Sequence, residues 1–167
     1  MSFNLREFQG RLTERLKAAA AQPDVTSRLG FACAGRQWLV PLTEVDEVLP
    51  VPAVLAVPGC EGWFRGLSNV RGNLYAVTDL GHFLTGKPSA PSPHSRLLLA
   101  HRRLGVNAAL IIERTLGLRH DGQLRRQEAR DVPWTGRSLV DQQDVSWLDF
   151  SLAALIADAR FLAVQAQ

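Results

Sequence analysis

The chain has 167 residues, of which 46% are hydrophobic and 21% charged. This balance is that of a folded globular protein and argues against a disordered or low-complexity scaffold. Its apolar runs, such as 108–112, fall far short of the roughly 20 residues of a membrane-spanning helix, and its first residues lack the apolar core of a secretory signal. We therefore expect a cytoplasmic protein without membrane insertion. The net charge of +3 comes from 19 basic and 16 acidic residues that are interleaved along the chain, which favours a mixed solvated surface over a nucleic-acid-binding face.

The first segment, 1–27, is predicted to form an amphipathic helix followed by a linker. Leu5, Phe8, Leu12 and Leu16 recur at spacings of three and four residues, which places them on one helical face, and Pro23 follows the pattern. Two roles stay open for this face. It covers the adjoining domain, or it binds a partner.

From residue 28 to 157 the pattern is that of short strands separated by turns, which predicts a mainly β domain. Prolines at 50, 52 and 58 mark a segment that is neither a central strand nor a helix interior, and 85–95 is predicted to be an exposed connector. Three hairpins are predicted, with turns at 34–36, 71–73 and 102–105.

The parts before and after this connector end alike, which indicates a duplicated β-module. In each, apolar residues lead to an aspartate, Asp79 or Asp149, that can cap a short helix. The C-terminal helix is predicted to end within 158–167.

No catalytic or metal-binding motif is present. The four histidines lack the spacing of a metal site, and no nucleophile elbow or phosphate-binding glycine loop occurs. Cys33 and Cys60 are expected to serve as small apolar residues. We expect no enzyme, metal or cofactor. Two alternatives remain: an enzyme in which His101 or His120 meets a nucleophile in space, and a nucleic-acid-binding small barrel whose exposed aromatics come from Trp38, Trp63, Trp134 and Trp147.

The most specific segment is 62–72, with the sequence GWFRGLSNVRG. Gly66 and Gly72 suit places where a strand bends or passes another backbone closely. Arg71 adds a guanidinium that can hold carboxylates or carbonyls. This pattern indicates a binding element.

The stretch 34–84 resembles the first half of a CheW-like domain, the coupling module of bacterial chemosensory arrays. The matching motifs are Val45-Asp46-Glu47-Val48, Pro58-Gly59, the segment 66–72 and Asp79-Leu80. The resemblance covers about 28–157 but weakens in the second half, where Ile112-Glu113-Arg114-Thr115 replaces a V-D-x-V segment and Ala109 replaces a common glycine. The N-terminal extension is similar to that of divergent members from type IV pilus chemosensory systems.

The resemblance implies a fold of two intertwined, SH3-like, five-stranded β-barrels with a helix at each end. It also implies a non-catalytic adaptor that joins the cytoplasmic tip of a methyl-accepting chemoreceptor to a CheA-type histidine kinase, in chemotaxis or twitching motility. Such an adaptor is located in the cytoplasm, at membrane-associated receptor arrays.

The resemblance further implies a set of receptor- or kinase-binding residues. By its motifs, Val45 makes an apolar contact, Gly66 allows close backbone approach, and Glu47 with Arg71 provides charged recognition. The full set is Val45, Glu47, Gly66, Asn69, Arg71 and Gly72.

Overall fold

The computed structural model describes residues 27–127 and 134–166, which form eleven strands and three short α-helices. The strands are β1 (Ser27–Cys33), β2 (Arg36–Pro41), β3 (Val45–Pro50), β4 (Phe64–Val70), β5 (Asn73–Asp79), β6 (Arg96–Ala100), β7 (Ala108–Ile112), β8 (Arg114–His120), β9 (Arg125–Gln127), β10 (Thr135–Val140) and β11 (Ser146–Phe150). The helices are α1 (Leu80–Thr85), α2 (Leu152–Ile156) and α3 (Ala159–Leu162). None of these helices is long and apolar enough to cross a membrane. The predicted helix within 1–27 lies almost entirely outside the described residues.

The strands form two sheets, which confirms the mainly β prediction. One sheet has six strands in the order β8-β1-β2-β11-β10-β9, and the other has five in the order β3-β6-β7-β5-β4. The resemblance implied two five-stranded units, whereas the structure has one six-stranded and one five-stranded sheet. Parallel pairing of β2 with β11 and of β5 with β7 joins strands from both sides of the 85–95 connector. The connector consequently does not separate one sheet from the other.

The three predicted hairpins are confirmed. Ala34 and Gly35 have φ values of 53° and 68° between β1 and β2, and the positive φ at both positions is typical of a type I′ turn. The β4–β5 turn has the same character. The β6–β7 connection passes through a 3-10 helix at residues 102–104 and ends at Gly105, whose φ is 74°.

The six-stranded sheet is strongly curled. Its two edge strands, β8 and β9, are joined by residues 121–124 alone, and five Cα steps span at most about 19 Å. The edges of a flat six-stranded sheet would lie five strand spacings apart, about 24 Å. The edges must therefore approach each other. Leu39, Leu139 and Trp147 of this sheet form a buried cluster of their own.

Strands β6 and β7 of the five-stranded sheet are buried on both faces. On one face, Val77, Leu97 and Leu99 pack under the segment that follows β3. On the other, Leu98 and Leu110 enter the main core, which also contains Phe31, Trp38 and Phe150 of the six-stranded sheet. Burial on both faces explains why β6 and β7 are continuous apolar runs rather than alternating ones.

Of the two aspartates predicted to cap a helix, one does so and the other does not. Asp79 caps α1, as predicted, because its side chain accepts a hydrogen bond from the His82 backbone N–H. The prediction for Asp149 is wrong: β11 continues through Phe150, and Ser151 caps α2 instead. Asp149 lies within β11 and accepts a hydrogen bond from Arg28.

The C-terminal part differs from a single helix. Ala157 and Asp158 separate α2 from α3, and the Asp158 carboxylate accepts hydrogen bonds from the backbone N–H groups of Arg160 and Phe161. Because this carboxylate satisfies the first free N–H groups of α3, it starts a new helix there.

Candidate partner-binding site

An exposed ion pair joins Glu47 of β3 to Arg71 of the β4–β5 turn. The two terminal guanidinium nitrogens of Arg71 donate to the two carboxylate oxygens of Glu47 at 2.7 and 2.8 Å. The Arg71 side chain is 72% exposed and that of Glu47 only 17%. A partner approaching this surface therefore meets mainly the guanidinium, in an orientation fixed by Glu47.

The backbone at Arg71 is set by its neighbours in the turn. Arg71 and Gly72 have φ values of 51° and 85°, the left-handed region in which glycine is favoured. The Asn69 side-chain oxygen accepts a hydrogen bond of 2.8 Å from the Gly72 N–H. Asn69 and Gly72 thus shape the turn that presents Arg71.

Gly66 lies where another part of the backbone passes closely. Its φ is 120°, and a Cβ atom would lie 1.9 Å from the carbonyl oxygen of Leu55. Leu55 and Leu67 exchange two backbone hydrogen bonds of 2.7 and 2.9 Å, which hold the segment 51–58 against β4. The close approach expected at Gly66 is therefore made within the chain itself.

Val45 stands apart from the other residues of the predicted set. It is 7% exposed and packs in the main core. Its side chain supports the start of β3 from inside and contributes very little exposed surface. The structure thus brings Glu47, Asn69, Arg71 and Gly72 together at the β4–β5 turn, places Gly66 further along β4, and puts Val45 in the core.

An apolar patch on the same sheet was missing from the sequence prediction. Leu55, Leu74 and Val106 are 74%, 58% and 38% exposed. Leu55 pairs with Leu67, and Leu67 pairs with Ala76, two residues after Leu74. Because strand residues two apart share a face, Leu55, Leu67 and Leu74 point to one side of the sheet.

Val106 lies in the bend that precedes β7, two residues before Ala108, the parallel partner of Ala76. We call Leu55, Leu67, Leu74 and Val106 the apolar patch. Alternation along β5 could have revealed Leu74, because Tyr75 and Val77 face the core.

The titratable groups offer little chemistry. In the described ranges, 27–127 and 134–166, no three His, Cys, Asp or Glu side chains are placed to hold a metal ion. Burial, with Glu113 and Asp79 nearby, raises the pKa of the Cys33 thiol to about 12, which makes it a poor nucleophile at neutral pH. His101 accepts a hydrogen bond from the Arg103 N–H, and the side chains of His120 and Ser27 share a hydrogen bond.

Three of the four tryptophans pack in the interior. Trp38 and Trp147 are 2% and 1% exposed, and the Trp63 and Phe83 rings make an edge contact at 5.1 Å. Buried indoles offer no face on which a base could stack. These contacts place Trp38, Trp63 and Trp147 in packing, whereas Trp134 is partly exposed.

Comparison with known proteins agrees with this picture. The model of the CheW-like domain family matches residues 28–158. Protein PilI of Pseudomonas aeruginosa is 34% identical over 160 residues, which cover 92% of this chain and 88% of that protein. The crystal structure of the scaffolding protein TtCheW from Thermoanaerobacter tengcongensis superposes with a TM-score of 0.65 at 19% identity, covering 76% of this chain and 89% of that one, and so shares the fold. The resemblance seen in the sequence is confirmed, and the chain belongs to the CheW-like domain family.

Proposed function

We propose that this chain is a non-catalytic adaptor that couples methyl-accepting chemoreceptors to a CheA-type histidine kinase. Family membership supports this role, as do the likeness to PilI and the fold shared with a scaffolding protein. The observation that carries the proposal is the exposed Arg71 guanidinium, held by Glu47 on a rigid turn of the sheet that carries the apolar patch. By the same resemblance, the output is twitching motility or chemotaxis, and the protein acts in the cytoplasm at receptor arrays.

The surface suits an amphipathic helix of a partner. Apolar side chains of that helix would cover Leu55 and Leu74, at about 25 cal/mol for each Å² of apolar area removed from water. Arg71 would set the register, because its outer N–H groups and planar face stay available beside Glu47. Glu47 acts as a positioning residue in this arrangement.

Coupling also requires a stiff bridge between the partners. We infer that each sheet closes as an SH3-like barrel, since the six-stranded sheet is joined edge to edge by four residues and the five-stranded sheet encloses its own cluster. The main core between the sheets makes them one packed body. Such a body can transmit a typical coupling free energy of about 1–3 kcal/mol without any chemistry of its own.

Binding assays with purified CheA-type kinase and a receptor cytoplasmic fragment from the same organism test the proposal. We expect Arg71→Ala and Arg71→Lys to weaken binding of at least one partner about tenfold or more, because lysine cannot reproduce a two-pronged guanidinium contact. Arg65→Ala is the matched control, since Arg65 is an exposed arginine on β4. Unfolding midpoints should stay unchanged.

Two results would count against this assignment. Equal binding by wild type and both Arg71 variants would remove Arg71 from the interface. Absence of binding by the wild-type chain to either partner would reject the adaptor role itself.

A further inference from the structure

A second concave site lies between the β1–β2 hairpin, the end of α1 and the start of α3. It has a volume of about 560 Å³, within the range of small-molecule sites. It shares no residue with the Glu47–Arg71 surface. The lining residues that matter for binding are Arg36, Leu84, Trp134, Asp158 and Arg160.

One wall of this cavity is aromatic and firmly held. The Trp134 indole N–H donates to the Asp158 carboxylate at 2.8 Å, and the Trp134 ring lies 5.4 Å from that of Phe83. The Arg160 guanidinium sits 4.4 Å from the centre of the Phe83 ring and 5.3 Å from that of Trp134. These cation–π contacts orient Arg160 and occupy its flat face, which leaves its N–H edge for other acceptors.

The charge at the cavity is positive. Asp158 uses one carboxylate oxygen for Trp134 and the other for the backbone N–H groups of Arg160 and Phe161. The hydrogen bond from Trp134 is the main cause of the lowered pKa of Asp158, so this group stays ionised and is satisfied internally. In the part of the chain that the structure describes, neither Arg36 nor Arg160 enters a salt bridge.

We propose that this cavity binds an organic anion with a flat apolar body, of the aromatic carboxylate class. The body packs against Trp134 and Leu84, and the anionic group lies between Arg36 and Arg160, whose guanidinium groups can each hold a carboxylate through paired hydrogen bonds. Binding of this anion is separate from the adaptor role, because it needs neither receptor nor kinase.

Titration of the full chain with 2-naphthoate and with its uncharged analogue 2-naphthamide tests the proposal. The two probes share one apolar body and differ in charge. We expect naphthoate to bind about tenfold or more tightly, the typical gain from hydrogen bonds to a charged group. Intrinsic tryptophan fluorescence reports binding, and the Trp134→Phe variant should lose most of the signal change.

Arg36→Ala and Arg160→Ala should abolish the preference for naphthoate over naphthamide. Arg126→Ala, which removes an exposed arginine of β9 outside the cavity, is the control. Because Arg160 also packs on two rings, Arg36→Ala carries the test if Arg160→Ala lowers the unfolding midpoint. Equal affinity for the two probes, an unchanged preference in Arg36→Ala, or no naphthoate binding at millimolar concentration would overturn the proposal.

Discussion

Among single residues, Asp141 is unusual because it is a buried carboxylate that is stabilised in its ionised form. It is 2% exposed, yet it accepts hydrogen bonds from the Trp147 indole at 2.9 Å and from the backbone N–H groups of Gln143 and Val145 at 2.9 and 3.0 Å. Burial alone would raise the pKa of Asp141, but these hydrogen bonds, with the nearby charge of Arg119, lower it overall. The ionised carboxylate therefore fixes the β10–β11 turn and the buried indole together.

We expect Asp141→Asn to lower the free energy of unfolding by about 1–3 kcal/mol, because an amide has one acceptor oxygen and leaves buried N–H groups unpaired. Asp144→Asn is the matched control in the same turn: its side chain is 84% exposed and pairs with the exposed Arg125, so a change within about 0.5 kcal/mol is expected. Urea denaturation at neutral pH measures both variants.

The pH dependence of that difference has a defined sign. Because the pKa of Asp141 is lower in the folded chain, its ionised form stabilises the fold fully above the unfolded carboxyl pKa, near 4. The gap between wild type and Asp141→Asn should shrink as the pH falls from about 5 through the lowered pKa. A gap that stayed constant or widened on acidification would contradict this account.

At the scale of elements, the contact between β4 and the segment 51–58 depends on one missing side chain. We expect Gly66→Ala to reduce the free energy of unfolding by about 2–5 kcal/mol, because the new Cβ would collide with the Leu55 carbonyl and the residue would hold a strained φ. Hydrogen exchange should show faster exchange of the Leu55 and Leu67 amides.

Gly72→Ala provides the comparison for this prediction. Gly72 has a φ of 85°, but beyond its two chain neighbours no atom lies within 4 Å of the position that its Cβ would take. Only backbone strain, about 1 kcal/mol, is then expected. Equal losses in the two variants would show that strain, and not the close approach, explains the need for glycine at position 66.

The elements also show where local sequence suffices. The hairpin turns and the Asp79 cap were predictable, because turn and cap chemistry depends on residues within a few positions. The Asp149 cap was not, since Asp149 is kept in β11 by pairing with Leu39, about 110 residues earlier in the chain, and the next residue, Phe150, pairs with Thr135 of β10. The apolar patch was missed because Leu55, in the proline-containing segment 51–58, is held in place by a bridge to Leu67. No local sequence pattern predicts that bridge.

In the candidate site, too, the residues could be predicted from the sequence but their contacts across the fold could not. The resemblance supplied Glu47, Asn69, Arg71 and Gly72, while the direct pairing of Glu47 with Arg71 joins residues 24 positions apart across the sheet. The resemblance also supplied Val45 as an apolar contact of the binding surface. Its burial became clear only from the packing of the two sheets.

For the whole molecule, the main core makes one cooperative body, and its cysteines can report on it. Cys33 is 1% exposed, whereas Cys60 is partly exposed, and both are free thiols. At pH 8 we expect the Cys60 thiol to react quickly with a disulfide reagent. We expect the Cys33 thiol to react only as fast as the chain unfolds, because its raised pKa and its burial suppress the thiolate.

The Cys60→Ser variant isolates the slow phase of this reaction, which should accelerate in urea in step with loss of the folded signal. Rapid labelling of Cys33 in the native variant would mean that β1 opens without global unfolding, and the single cooperative body would have to be abandoned.

The parallel pairing of Trp38 with Leu148 has a consequence during synthesis. A ribosome adding about 5–20 residues per second needs roughly 5–20 s to make the residues between these two partners. Throughout that interval the β1–β2 hairpin exposes an unpaired apolar edge on the nascent chain. The edge stays unpaired until the end of the chain emerges to cover it, and an edge left open in this way favours association with other chains.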